Sequence, residues 1–100
     1  MFIHNVYFWL KSGLSDEDLS SFAQGLETLV RDPAAKGGHV GKSAATDRGV
    51  VDNSYSYGLV VLFDDLAAHD RYQEGAVHLD FLAAHADKWE RVVVYDLKTV

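Results

Sequence analysis

Phe2-Ile3-His4-Asn5-Val6-Tyr7-Phe8-Trp9-Leu10 carries no charge, no glycine and no proline. Alternate side chains of a strand point to opposite faces. One face of this strand presents Phe2, His4, Val6, Phe8 and Leu10, the other Ile3, Asn5, Tyr7 and Trp9. Neither face is suited to water, so the strand needs a cover on each side. The last apolar run, Arg91–Leu97, has the same property, with Val92 and Val94 on one face and Val93, Tyr95 and Leu97 on the other. A chain of 100 residues makes one domain, expected over residues 1–100, with a modest core. It has material for one covering layer. The second cover is therefore expected from a second copy, packed through Ile3, Tyr7, Trp9, Val93, Tyr95 and Leu97. The His4 parity is expected to face the chain's own helices.

The intervening sequence supplies those helices. Ser15 followed by Asp18 is a capping-box pattern, and Asp16, Glu17 and Asp18 suit the positive end of a helix dipole. Leu19, Phe22, Leu26 and Leu29 then form one apolar stripe, and Asp32-Pro33 ends the helix. Lys36–Ala45 is expected as a twisted or bulged strand weakened by Gly37, Gly38 and Gly41. Asp47–Ser54 is a polar turn. Tyr55–Phe63 is expected as a strand with Tyr55, Tyr57, Leu59, Val61 and Phe63 on one face. Asp64 or Asp65 caps a short helix through Gln73, and Glu74-Gly75-Ala76 breaks it. A second stretch, Val77–Lys88, places His78, Leu82, His85 and Trp89 along one face with Phe81 beside them. The order is β-α-β-β-α-β with the last helical unit split. The expected fold class is α+β, a ferredoxin-like four-stranded antiparallel sheet with helices on one face.

Composition excludes several functions. Nine basic against fifteen acidic residues leave a net charge of −6, and no basic cluster offsets it. Nucleic acid and anionic membrane surfaces are not expected as partners. The absence of cysteine rules out disulfides and thiolate chemistry. No secretory n-region or membrane-length apolar run is present, and a cytoplasmic protein is expected.

Polar candidates are few. Gly37-Gly38 with Gly41-Lys42-Ser43 lacks the spacing of a phosphate loop and reads as a glycine-rich strand or loop. Neither H-x-H nor H-x-x-x-H occurs among the five histidines, and His78 and His85 lie two turns apart, roughly 10 Å along a helix. No metal is expected. Tyr72 and His78 flank the Gly75 break, where two helix ends can aim side chains into one space. A histidine in the first turn of a helix is disfavoured as imidazolium. A neutral imidazole serves as a general base, and a phenol can stabilise a developing oxyanion. The alternative is that Tyr72 packs and His78 bonds locally. His4 is likewise either a satisfied core histidine or a pocket-lining group, with Tyr55 and Tyr57 in the same layer.

The pattern resembles the stress-responsive α/β-barrel (Dabb) family over essentially the whole chain. The resemblance rests on the histidine-led His4-Asn5-Val6-Tyr7-Phe8-Trp9-Leu10-Lys11, on Tyr72-Gln73 then His78-Leu79-Asp80-Phe81, and on Val92-Val93-Val94-Tyr95-Asp96. It implies a ferredoxin-like monomer whose sheet pairs with another's in a homodimeric α/β barrel. The family includes a cofactor-independent plant polyketide cyclase that performs an aldol condensation. Similarity to that member implies His78 as base and Tyr72 as its catalytic partner. It also implies a small, partly apolar ligand in a pocket lined by His4, Tyr57 and Phe81, and no cofactor. The chain departs from the cyclase at Tyr57, where the cyclase is expected to carry a histidine. It departs again at Gln73-Glu74-Gly75-Ala76, where the cyclase has a more apolar, proline-containing segment. A non-catalytic stress-response or assembly protein is the alternative reading.

Overall fold

The computed structural model describes residues 1–100. Strand β1 spans Phe2–Leu10, helix α1 Asp16–Val30, β2 Gly37–Gly41, β3 Tyr57–Phe63, α2 Leu66–Glu74, α3 Ala76–His85 and β4 Trp89–Lys98, with a 3-10 turn at Ala86–Lys88 before β4. The sheet order is β2-β3-β1-β4 and every pairing is antiparallel. This is the ferredoxin-like arrangement read from the sequence.

Each helix begins where its capping chemistry places it. The Ser15 hydroxyl accepts the Asp18 N–H at 3.0 Å and the Asp65 carboxylate accepts the Ala68 N–H at 2.9 Å, the usual way to satisfy a helix's free donors. Gly75 separates α2 from α3 with an extended backbone, φ −76° and ψ 160°. The chain therefore changes direction between Tyr72 and His78. No helix is long and apolar enough to cross a membrane.

The core lies between the helices and the expected face of β1. Val6 and Phe8 of β1, Leu59, Val61 and Phe63 of β3, and Phe22, Leu26 and Leu29 of α1 are all buried, closed over by Ala68, Tyr72 and Phe81. Phe22 is the hub of its aromatic part, with ring centroids 5.3 Å from Phe8, 5.6 Å from Tyr57 and 5.8 Å from Phe81.

Four details differ from expectation. First, β2 is only Gly37–Gly41, and the chain from Lys42 to Ser56 is a loop. Its close pairing needs glycine at position 38, where a Cβ would lie 2.2 Å from the Val60 carbonyl oxygen. Second, β3 starts at Tyr57, so Tyr55 escapes the strand's alternation. Its ring lies 5.0 Å from Tyr7, on the opposite side of the sheet from Leu59 and Val61. The hydroxyl of Ser56 takes the Leu10 N–H at 2.9 Å, which ends regular pairing there. Third, α3 buries Phe81 and His85, while Leu82 remains exposed, and Trp89 belongs to β4. Fourth, the helices do not reach the edge strand. Val92 and Val94 pair with Phe8 and Val6, yet are 41% and 46% exposed. The gap beside them is the entrance to the site described next.

Candidate functional site

The gap between the sheet and the helices holds a cavity of about 160 Å³ lined by His4, Val6, Phe8, Leu29, Leu59, Tyr72, Gln73, His78, Phe81, Leu82, Trp89, Val92 and Val94. Four of the five sequence-expected site residues, His4, Tyr72, His78 and Phe81, are among them. Tyr57 is not: its ring lies against Phe22 at 5.6 Å, with the Lys42 ammonium 5.2 Å from its centroid. The reason is position. Tyr57 sits at the first residue of β3, beyond Phe22 from the Gly75 break.

The break brings the polar side chains together. Tyr72 lies in the last turn of α2 and His78 in the first turn of α3, and their rings meet at 5.2 Å. The His4 ring is 6.0 Å from Tyr72. Nδ1 of His78 is buried and no hydrogen bond of ordinary geometry reaches it, although the Gln73 main chain lies close enough to the ring to favour its charged form. Such orphaned atoms are rare in folded proteins and call for an explanation.

Electrostatics favours a neutral base beside a protonated phenol. Burial holds the His78 pKa below its ordinary value, and His4 acts in the same direction, while the Gln73 main chain opposes both. Burial pushes the Tyr72 phenol above its usual range, with the Asp32 carboxylate adding to the shift. Burial also lowers His4, against an Asp96 carboxylate 2.6 Å from its Nδ1 that favours the charged ring.

His85, outside the cavity, is also depressed by burial and then by Lys88, whose ammonium donates to its Nδ1 at 3.0 Å. Unfolded histidines protonate near pH 6.5, whereas folded His78 and His85 resist until lower pH. The unfolded chain therefore binds more protons in that window. The stability these groups support is complete above pH ~6.5 and declines as pH falls. The melting temperature is expected to drop between about pH 7.5 and 5.5, and to drop less in His85→Gln. A flat profile in differential scanning fluorimetry would contradict this.

Sequence reasoning missed three polar groups around His4: Gln73, which lines the cavity, and His69 and Asp96 beside it. Gln73 Nε2 lies 3.5 Å from His4 Nε2 and 3.3 Å from His69 Nε2. The β1–β4 register sets Asp96 opposite His4. His4, His69 and Asp96 each present a potential metal-donor atom, all within 4.8 Å of one another. His69 and Gln73 are four apart on α2 and so share a face, a local signal that was available. Asp96 became visible only through strand register.

A larger concavity of about 340 Å³ lies on the other side of the sheet, lined by Tyr7, Trp9, Asp52, Tyr55, Arg91, Val93 and Tyr95. It contains no histidine and belongs to the face whose apolar side chains call for a cover.

Residues 2–99 match the family described as the stress responsive A/B barrel domain, Dabb. Among curated proteins none matches the chain. Solved structures share the fold. An Arabidopsis thaliana protein superposes with a TM-score of 0.83 at 22% identity, over 100% of this chain and 96% of that one. A dimeric ferredoxin-like protein of unknown function from Thermobifida fusca gives 0.79 at 19%, over 98% and 90%. Hydroxynitrile lyase from Passiflora edulis gives 0.79 at 19%, over 96% and 90%. Identities this low speak for architecture alone. Because the family model spans residues 2–99, the chain belongs to the stress responsive A/B barrel domain (Dabb) family.

Proposed function

We propose that this protein is a homodimer that binds a small, partly apolar carbonyl compound in the cavity between sheet and helices. His78 and Tyr72 act on that compound as a cofactor-free lyase or cyclase pair. The observation that carries the reading is that His78 and Tyr72, with rings 5.2 Å apart, line one cavity while no hydrogen bond of ordinary geometry occupies the buried Nδ1 of His78.

The chemistry follows from the two protonation states. Neutral His78 removes a proton from the carbon beside the carbonyl. The C–H electron pair becomes the enolate, whose oxygen accepts a hydrogen bond from Tyr72. The enolate carbon then takes a proton back or attacks a second carbonyl, or its electron pair forms a double bond to the next carbon as a leaving group departs from that carbon with its bonding pair.

Cavity size narrows the choice. An engineered cavity of about 150 Å³ accommodates benzene, so about 160 Å³ suits one ring rather than an extended polyketide chain. Lyase or proton-transfer chemistry on a small substrate thus fits better than cyclisation of a long one. The Passiflora edulis relative is an example of a lyase on this fold. The test is exchange of the methyl protons of acetophenone, a one-ring enolisable ketone, for deuterium by the wild type and its His78 and Tyr72 variants.

The dimer part of the reading rests on the open sheet face, where Tyr95 is 64% and Leu97 56% exposed beside Tyr7, Trp9 and Val93. Face-to-face sheet packing would cover them. That apolar face also favours the second reading, a non-catalytic assembly protein whose cavity is incidental. The lack of cysteine accords with a reducing, cytoplasmic setting.

A further inference from the structure

Three residues from three separate elements converge beside the cavity, where His4 also lines its wall: His4 on β1, His69 on α2 and Asp96 on the edge strand β4. The His4 ring is almost fully enclosed, with 6% of its side chain exposed, and His69 is 13% exposed. A buried and a half-buried imidazole beside an exposed carboxylate is an uncommon arrangement in a chain with only five histidines. We propose that His4, His69 and Asp96 bind a divalent transition-metal ion of the cobalt, nickel or zinc class.

The donor set fits that class. Imidazole nitrogen suits zinc, nickel and related ions, and two histidines with one carboxylate form a recurrent ligand set that leaves coordination positions open. Two neutral imidazoles and one carboxylate carry a single negative charge, which attracts a divalent cation. The chain's net charge of −6 acts in the same direction.

The distances require only a modest closure. Donors held ~2.1 Å from one ion lie roughly 3.0–3.5 Å apart. His4 Nδ1 and Asp96 Oδ1 are already adjacent at 2.6 Å, sharing a proton that the metal would displace. The three donor atoms lie within 4.8 Å of one another, so His69 must approach by side-chain rotation. Asp96 can adjust as well, because its side chain is 38% exposed on an edge strand. Gln73 Nε2 lies 3.5 Å from His4 Nε2 and 3.3 Å from His69 Nε2, and Asp70 Oδ1 lies 3.1 Å from His69 Nδ1, so a metal ion would displace one of the two contacts of His69 and leave the other as its outer partner. Outer partners of this kind orient ligating histidines. Local spacing gave no hint of the site because its ligands are distant in sequence.

The site is separate from the His78–Tyr72 pair, though His4 also lines the cavity. Its test needs no substrate. Untagged, metal-stripped protein is titrated with Co²⁺, followed by visible absorption, and with Zn²⁺ by calorimetry. One equivalent per chain is expected to bind with micromolar or tighter affinity. His69→Ala and Asp96→Asn are each expected to weaken binding by about tenfold or more while keeping the wild-type circular dichroism. Absence of saturable binding near one equivalent would overturn the proposal. So would binding that both folded variants retain, since the ion would then sit on other donors.

Discussion

Wild-type protein in D₂O is expected to exchange the methyl protons of acetophenone, and His78→Gln to lose this activity by about 10²–10⁴-fold, the usual worth of a positioned general base. Glutamine is close to histidine in size and also polar, so the first turn of α3 keeps its shape. It has no imidazole to take the proton. Tyr72→Phe retains the buried ring, which is 1% exposed, and removes the only group assigned to the enolate oxygen. It is expected to lose about 10²-fold, in the range found for a single oxyanion donor. Exchange is measured with EDTA present, so a metal at His4, His69 and Asp96 does not contribute. Rates within a few-fold of wild type in His78→Gln would remove His78 from the reaction.

Val93→Glu is expected to convert the dimer to a monomer. Val93 pairs with Tyr7 in the β1–β4 register and lines the concavity on the open face with Trp9, Tyr55 and Tyr95. In a symmetric sheet-to-sheet dimer each copy would bring one carboxylate into the same apolar layer. Burying an unpaired charge costs several kcal/mol, so dimer affinity is expected to fall by at least about a hundredfold, ~3 kcal/mol. The substitution lies across the sheet from Phe8, Phe22 and Phe81, so the monomer's fold should persist. Sedimentation equilibrium checks both points. A wild type that sediments as a monomer at micromolar concentration would contradict the open-face reading at once.

The fold was legible because its determinants are local. Alternation in Phe2–Leu10 separated two faces, and giving the bulkier, more aromatic one to the open side put His4 on the helix side; the Ser15 cap, a cap at Asp64 or Asp65 and the Gly75 break marked the helix ends. Tyr55 was misplaced because alternation was extended past the point where Ser56 Oγ binds the Leu10 N–H and strand pairing stops. The site was half legible. Tyr72 and His78 flank a visible helix break, so their meeting followed from chain direction. Tyr57 shared their layer but not their cavity, since residues on one face can still be separated by a side chain as large as Phe22. His69 and Asp96 depended on how α2 sits over β1 and on the β1–β4 register, neither of which is written in local spacing. The exposed Val92 and Val94 show the same limit, because periodicity assigns a side to a residue without saying whether the neighbouring layer extends far enough to cover it.

The central claim is that the space between sheet and helices is where a small molecule binds. A methyl-resolved NMR titration with acetophenone tests it most directly. Shifts are expected at Leu29, Leu59, Leu82, Val92 and Val94, which line the cavity, with Ile3, Val60, Val93 and Leu97 on the opposite face unmoved. Shifts confined to Ile3, Val60, Val93 and Leu97, or none at millimolar ligand, would contradict it.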